Sequence, residues 1–334
     1  MIKSGRTARR PDVLIVVGVL SALLIFQLAA ALVLNLNEGK FPSFEPSKSL
    51  FSLPLAKIQK ISISERDPSS KQLSSLVLHK EKSVWRLAEN VPAKASSISH
   101  LLNAVTSLKK NLPVASGAEL PERFNLNANN FAGSITLDTE EPNVQPTVIY
   151  FGAAANGLER YFRLGSDDTN TVYSCQIQRE LLSAKNRDWI DNHFAAVYSS
   201  QVAGFAINDF TVHAGGTNQW TLINNGQKHE LPRPIAESLL TVLDVPVDSI
   251  LGSKAAQFSR LDQPDLILKI ELKNGSKLTY SFTKIKNTSY YVLRLSDSPY
   301  YFEVADKYVD DAKKLNAAVV LKNCAAAGTN VKLH

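Results

Sequence analysis

Methionine is almost missing from this chain of 334 residues: Met1 is the only one. That excludes a promiscuous binding groove padded with flexible thioethers. Cysteine is scarce too, with Cys175 and Cys324 alone. Their separation in sequence says nothing of their distance in space, so two separate buried thiols and a Cys175–Cys324 disulfide both stay open. No block of Lys and Arg interleaved with aromatics occurs, which removes nucleic acid as an expected partner despite a net charge of +6. About half of that excess lies in the first twelve residues, where Lys3, Arg6, Arg9 and Arg10 stand against Asp12.

Catalytic signatures are missing as well. His79, His100, His193, His213, His229 and His334 are the only histidines, and none falls in H-E-x-x-H, H-x-H or a spacing that would share a metal with a cysteine. The chain has no G-x-S-x-G, no P-loop and no G-x-G-x-x-G. The small residues at 152–157 lie between two expected strands and read as a hairpin turn, not a phosphate cradle. Residues 213–217 read as another hairpin tip. Asp167-Asp168 sit in a turn with too few ligands for calcium. Asp188, Asp191 and His193 form the one local cluster of functional groups; a capped helix end or an inter-domain loop explains them, with a cation site as the alternative. The expectation is a protein that is not an enzyme and holds no metal or cofactor.

What the chain does have is one long apolar run. Residues 13–34, VLIVVGVLSALLIFQLAAALVL, carry no charge. As a helix of about 22 residues they span roughly 33 Å, enough for a hydrocarbon core of about 30 Å. Cations precede the run, and Glu38 and Lys40 nearly balance after it. The positive-inside rule therefore puts the N-terminus in the cytoplasm and the bulk of the chain outside it. A cleaved signal peptide is the competing reading, but its apolar region is usually about 7–15 residues and is followed by a polar stretch before cleavage. The expected layout is a basic cytoplasmic segment at 1–12, a transmembrane helix at 13–35 and a Pro/Ser linker at 36–54. Ser21 and Gln27 are the polar residues of the span and candidates for contact with a partner helix.

After the linker the chain repeats a pattern at a spacing of roughly 130–135 residues. The first copy, 55–195, opens with an alternating strand near 57–65 and continues through strands at 76–77 and 84–87. A helix over 95–110 then places Ile98, Leu101, Leu102, Val105 and Leu108 on one face. The second copy, 196–316, opens with a strand over 202–212. Trp220-Thr221-Leu222 matches Trp85-Arg86-Leu87, and Ile235, Leu239, Leu240 and Leu243 repeat the helical stripe. Phe124-Asn125-Leu126 and Phe258-Ser259-Arg260-Leu261 each lead into a strand. Leu266, Leu268, Ile270 and Leu272 alternate with their neighbours, Asn274-Gly275 offers a tight turn, and Leu278, Tyr280 and Phe282 continue the alternation. Each copy closes on a Tyr-containing strand and a short helix, near 178–184 and 306–315. The tail, 317–334, is expected to add a strand or stay loose. The fold class is α+β: one N-terminal transmembrane helix followed by two duplicated, mostly antiparallel sheet-plus-helix units. Tyr290, Tyr291, Tyr300 and Tyr301 are candidate interface aromatics, with cross-strand pairing as the alternative.

The order of these pieces resembles the bacterial membrane-anchored family known as domain of unknown function 4340, in two tandem copies. The residues that carry the resemblance are the two W-x-L elements, the helix after each, the Phe124/Leu126 and Phe258/Leu261 segments and the Tyr-rich strands. The stretch after Trp220 departs from the pattern: it is Asn-rich and lacks the usual Pro. The resemblance implies an anchor, an extracytoplasmic α+β body and association with membrane transport machinery of the ABC type; it implies no catalytic residues. The expected role is a single-pass accessory or scaffold protein of the bacterial inner membrane, its bulk periplasmic and its partner an integral membrane complex. A periplasmic module binding a lipid, glycan or peptide between the repeats is the alternative.

Overall fold

The structure, a computed structural model, describes residues 11–37, 55–109, 113–117, 119–156, 158–166, 170–216, 219–254, 258 and 260–326. The basic residues at 1–10, the linker from 38 to 54 and the end of the tail lie outside the described residues. So do Asp167 and Asp168.

Helix α1, Pro11–Asn37, contains the whole apolar run, because no proline or charge interrupts it after Asp12. Its side chains are described at Ile15 and over 17–29, and every one of those is exposed. Among the residues whose side chains are described, which on α1 are Ile15 and 17–29, no helical stretch is long and apolar enough to cross a membrane. Helix α1 belongs to one compact unit of the chain and both sheets to another.

The first sheet begins with strands β1 (Lys60–Arg66), β2 (Leu73–Glu81) and β3 (Val84–Leu87). Helix α2 (Ala95–Thr106), the turn of helix α3 (Leu120–Arg123) and the small hairpin β4 (Leu126–Asn127) and β5 (Asn130–Phe131) follow. Strands β6 (Gly133–Asp138), β7 (Thr147–Asn156), β8 (Glu159–Leu164) and β9 (Tyr173–Gln176) complete it. The order across the sheet is β3-β2-β1-β6-β7-β8-β9, with every neighbouring pair antiparallel.

The second sheet repeats this path. Its strands are β10 (Val202–Ile207), β11 (Phe210–Ala214), β12 (Trp220–Asn224) and β13 (Gln227–Leu231). Helix α4 (Arg233–Leu240) leads to β14 (Ser249–Gly252), β15 (Leu266–Leu272), β16 (Lys277–Lys284), β17 (Tyr290–Leu295) and β18 (Tyr301–Ala305). Helices α5 (Asp306–Lys313) and α6 (Ala317–Ala326) close the described chain. The order is β13-β12-β11-β10-β15-β16-β17-β18-β14. In both sheets three strands run outward as a meander, a helix crosses back, the next long strand pairs with the free side of the first, and a second meander follows. The second sheet adds β13 and β14 at its two edges.

One face of each sheet is apolar because the alternation puts every second side chain there. In the first sheet Ile61, Ile63, Leu78, Ile135, Leu137 and Phe151 are buried under Ile98, Leu101 and Val105 of α2. In the second, Phe205, Ile207, Leu268, Ile270, Phe282 and Phe302 lie under α4, α5 and α6. The two helical stripes expected from sequence are therefore both core faces. The opposite face of the first sheet is polar around Ser62, Ser64, Ser75, Ser134 and Thr136, which lie cross-strand to one another.

Several expectations need correction. The stretch 202–212 is not one strand: it turns at Asn208-Asp209, with Asn208 at φ +50°, and makes the β10–β11 hairpin. The Asn-rich stretch after Trp220 is the β12–β13 hairpin. Asn225 and Gly226, at φ +49° and +78°, supply the two left-handed residues of a two-residue turn. Asn274-Gly275 does close β15–β16, but only Gly275 takes a positive φ, in a longer loop closed by Leu272 and Ser276. The first copy's closing helix is only a 3-10 turn at Arg179–Leu182. The tail is helix α6, whose Ala317, Val320 and Cys324 are buried, so the second unit runs past residue 316.

Candidate functional site

The segment joining the two sheets makes long-range polar contacts to both of them. Pro92 cannot donate a backbone hydrogen bond, so the chain beyond β3 makes single bridges instead of a full strand. Arg86 bridges Pro92, and Ala93 bridges Ile190 of the connecting segment. The Lys94 N–H donates to Trp189 O at 2.7 Å, and the Asp191 N–H to Pro92 O at 3.0 Å. Trp189 is fully buried in the shared core, and its indole N–H donates to Ser183 O at 2.8 Å.

The same segment binds the second sheet. The Asn186 amide donates to Ile250 O at 2.9 Å, and its oxygen accepts from Ser249 Oγ and the Ile250 N–H, so one side chain satisfies the open edge of β14. Arg187 pairs with Glu303 of β18 at 3.2 Å. The Val247 N–H donates to Asn192 O and the Val197 N–H to Leu243 O. Phe194 packs against Phe302 with ring centroids 5.1 Å apart. The Tyr280 hydroxyl donates to Ala195 O at 3.0 Å. Burial, and after it the charge of Asp297, push the Tyr280 phenol up to about 12, which keeps it a donor at neutral pH. Beside this junction lies a cavity of about 440 Å³, lined among others by Asn90, Pro92, Phe194, Asp297 and Tyr300.

The cluster singled out in the sequence does not converge. Asp188 accepts from Ser183 Oγ at 2.5 Å, Asp191 accepts the His193 backbone N–H, and His193 Nδ1 faces Asp244 at 2.7 Å in an exposed pair. Among the described residues, no three groups stand close enough to hold a metal ion. The inter-domain loop is the reading that fits.

The four candidate tyrosines separate. Tyr291 and Tyr301 are buried, whereas Tyr290 and Tyr300 are half-buried. The Tyr291 hydroxyl donates to Asp310 at 2.8 Å, and Lys284 and Lys313 lie over its ring. Tyr301 meets Phe258 edge-on at 5.5 Å. Phe124 meets Tyr161 in the same way at 4.8 Å, but Tyr161 lies on β8 and Tyr301 on β18, which are not matching strands, so each Phe-containing segment covers a tyrosine at a different place in its sheet. Trp85 and Trp220 are half-buried against the core, on the helix-facing side with Leu87 and Leu222. No disulfide joins Cys175 to Cys324. The former lies on β9 in the first sheet and the latter on α6 against the second. Burial pushes the Cys175 thiol up to about 12 and raises that of Cys324, so neither offers a thiolate near neutral pH. Ser21 and Gln27 are both exposed on α1.

Residues 85–248 match the family described as Domain of unknown function (DUF4340). The match supports the family identity expected from the W-x-L elements. It begins at Trp85 in β3 and stops just ahead of β14. The DUF4340 match therefore takes in the back of the first sheet, the Trp189 junction and the front of the second. It is one match across the junction, not one per repeat, and gives no support to two tandem family domains. No curated protein and no solved structure matches the chain.

The junction was the part that sequence reasoning missed. Trp189 sits between Asp188 and the Asp191–His193 pair, which disguises the most deeply buried aromatic of the connection. The available signal was the isolated Trp-Ile pair in a polar stretch.

Proposed function

We propose that this chain is a membrane-tethered accessory subunit of a larger membrane complex, of the ABC-type transport kind, with no catalysis of its own. In this reading α1 is the single anchor in the bacterial inner membrane. The N-terminus lies in the cytoplasm, and the two-sheet body stands on the periplasmic side as a rigid recognition module. The observation that carries the reading is α1. Ile15, Leu20, Leu24, Ile25, Phe26 and Leu28 are all more than half exposed on it. Burying a large apolar side chain is worth about 1.5–3 kcal/mol. A helix that leaves so many open is stable only where lipid or another protein covers it. The four cations ahead of the run favour the stated orientation.

The body supports a docking role. Its two sheets share one core and are stitched at Asn186, Trp189 and Tyr280, so a partner meets a preformed surface. Ser21 and Gln27 on α1, with the half-buried Tyr290 and Tyr300, are the contacts offered to the partner. The cavity beside the junction keeps a second reading alive: a lipid, glycan or peptide held between the repeats.

The test is purification of the tagged full chain from gently solubilised membranes. An integral membrane partner in fixed ratio is expected, with the ratio reduced when residues 13–34 are exchanged for an unrelated apolar span. Recovery of the chain alone, under every mild detergent, contradicts the subunit reading.

A further inference from the structure

A second cavity, of about 290 Å³, lies in the first sheet, away from the junction. It forms where the end of β1, the turn after it, the β4–β5 hairpin, the start of β8 and the 3-10 turn at Arg179–Leu182 meet. Four cations line it: Arg66, Lys71, Arg160 and Arg179. Two carboxylates line it too, Glu65 and Asp67, so the wall carries an excess of two positive charges.

Both carboxylates are already counted in that excess, and both are engaged locally. Asp67 turns back on its own loop, where its Oδ1 accepts from the Ser69 N–H at 2.8 Å, from Ser69 Oγ at 2.5 Å and from the Ser70 N–H at 2.8 Å. Glu65 accepts the Ala184 N–H at 3.1 Å and faces Arg179 only at 3.7 Å. The Arg66 guanidinium is fixed by bonds to Lys71 O at 2.9 Å and Asn129 O at 3.0 Å, above the ring of Phe131. Arg160 has one long bond, 3.5 Å, to Gly152 O. The Nε–H groups of Arg66 and Arg160 are both buried and meet no acceptor among the described residues. Arg160, with that single long bond, is thus the guanidinium held short of acceptors beside the cavity, a costly arrangement for a part-buried donor.

We propose that this cavity binds a phosphate monoester. The phosphate carries about −1.5 to −2 at neutral pH and three acceptor oxygens, which matches the charge excess and the planar donors of the arginines. Phe131, Ala132, Ala154, Leu182 and Pro68 give the cavity an apolar wall for the organic part of the ester. The hairpin that closes the site is seated by Gly152: a Cβ there would stand 2.3 Å from Phe124 O. The site is independent of the accessory-subunit reading and of the cavity at the junction.

The experiment is titration calorimetry on the full chain in discs of neutral phosphatidylcholine. The probes are glycerol 3-phosphate and a water-soluble short-chain phosphatidic acid, with glycerol as the uncharged control. Binding of either phosphate probe is expected, with glycerol silent. Tighter binding of phosphatidic acid identifies a lipid headgroup as the source, and tighter binding of glycerol phosphate a soluble ester. Arg160→Gln should weaken binding by at least about tenfold. Lys71→Gln, at an exposed position that leaves folding intact, should weaken it by a smaller factor, and Lys277→Gln on the second sheet not at all. Absence of binding by both phosphate probes overturns the proposal. So does binding that neither Arg160→Gln nor Lys71→Gln weakens.

Discussion

The two sheets follow one path and carry different surroundings. Strand for strand, β1-β2-β3 and β6-β7-β8-β9 of the first match β10-β11-β12 and β15-β16-β17-β18 of the second. What they share is the apolar face and the W-x-L strand. What they do not share lies outside that frame. The first sheet keeps one long helix and folds the β4–β5 hairpin onto its outer face beside a cationic cavity. The second spends its extra residues on β13, β14, α5 and α6. The comparison separates the repeated residues, which build the shared frame, from the unrepeated ones, which in the second sheet extend the core through α5 and α6 and in the first line the cationic cavity.

The largest expected effect falls where the sheets meet. Trp189→Ala removes a fully buried indole and its bond to Ser183 O. It should cost about 3–5 kcal/mol. In urea, with fluorescence and far-UV circular dichroism followed together, both signals should shift as one transition. A variant in which the first sheet melts alone breaks the claim of a shared core. Gly152→Ala is the matching test within one sheet. The new Cβ meets the backbone at Phe124 and displaces the hairpin held by the Arg163 bond to Leu126 O at 2.9 Å. A loss of about 1–3 kcal/mol is expected. Hydrogen exchange should accelerate over residues 124–131 and stay unchanged over β15–β16.

Alkaline pH should act through the second sheet. Burial is the main cause that raises the phenols of Tyr280, Tyr291 and Tyr308, and the hydrogen bond to Asp310 adds to it at Tyr291. A raised folded value favours the protonated form, so this stability is fully present below the unfolded value of about 10. It is lost as pH rises through the folded values. Unfolding midpoints should fall above about pH 10, and Tyr280→Phe should flatten part of that slope. The smallest effect concerns the β2–β3 turn. Lys82 and Ser83 hold φ of +46° and +75°, whereas Asn225-Gly226 fill a turn of the same two-residue kind in the β12–β13 hairpin, which has no counterpart in the first sheet. Lys82→Asn with Ser83→Gly should stabilise the chain by about 1 kcal/mol, seen as a higher midpoint in urea.

That turn also shows what was legible in the sequence. Leu266 to Phe282 announced β15 and β16 because strict alternation leaves no other way to bury one face. The stripes of α2 and α4 were plain for the same reason at the helical period. The β10–β11 hairpin was hidden because Asn208-Asp209 interrupts the apolar pattern for only two residues. Strand β13 was hidden because an edge strand buries only His229 and Leu231 on one side. The junction was illegible because its meaning lies in bonds across long separations: Asn186 to β14, Asp191 to Pro92 and Tyr280 to Ala195. The cationic cavity draws on residues from 65 to 182, and no local spacing announces it.

The central proposal is that α1 is covered by lipid and anchors a two-sheet body outside the cytoplasm. Its most direct measurement is protease protection on spheroplasts that express the full chain. Added protease should reach the body from the outside, and the remnant containing residues 13–34 should stay with the membrane through an alkaline carbonate wash. A body protected until the cells are lysed, or a chain that the wash releases intact, contradicts the account.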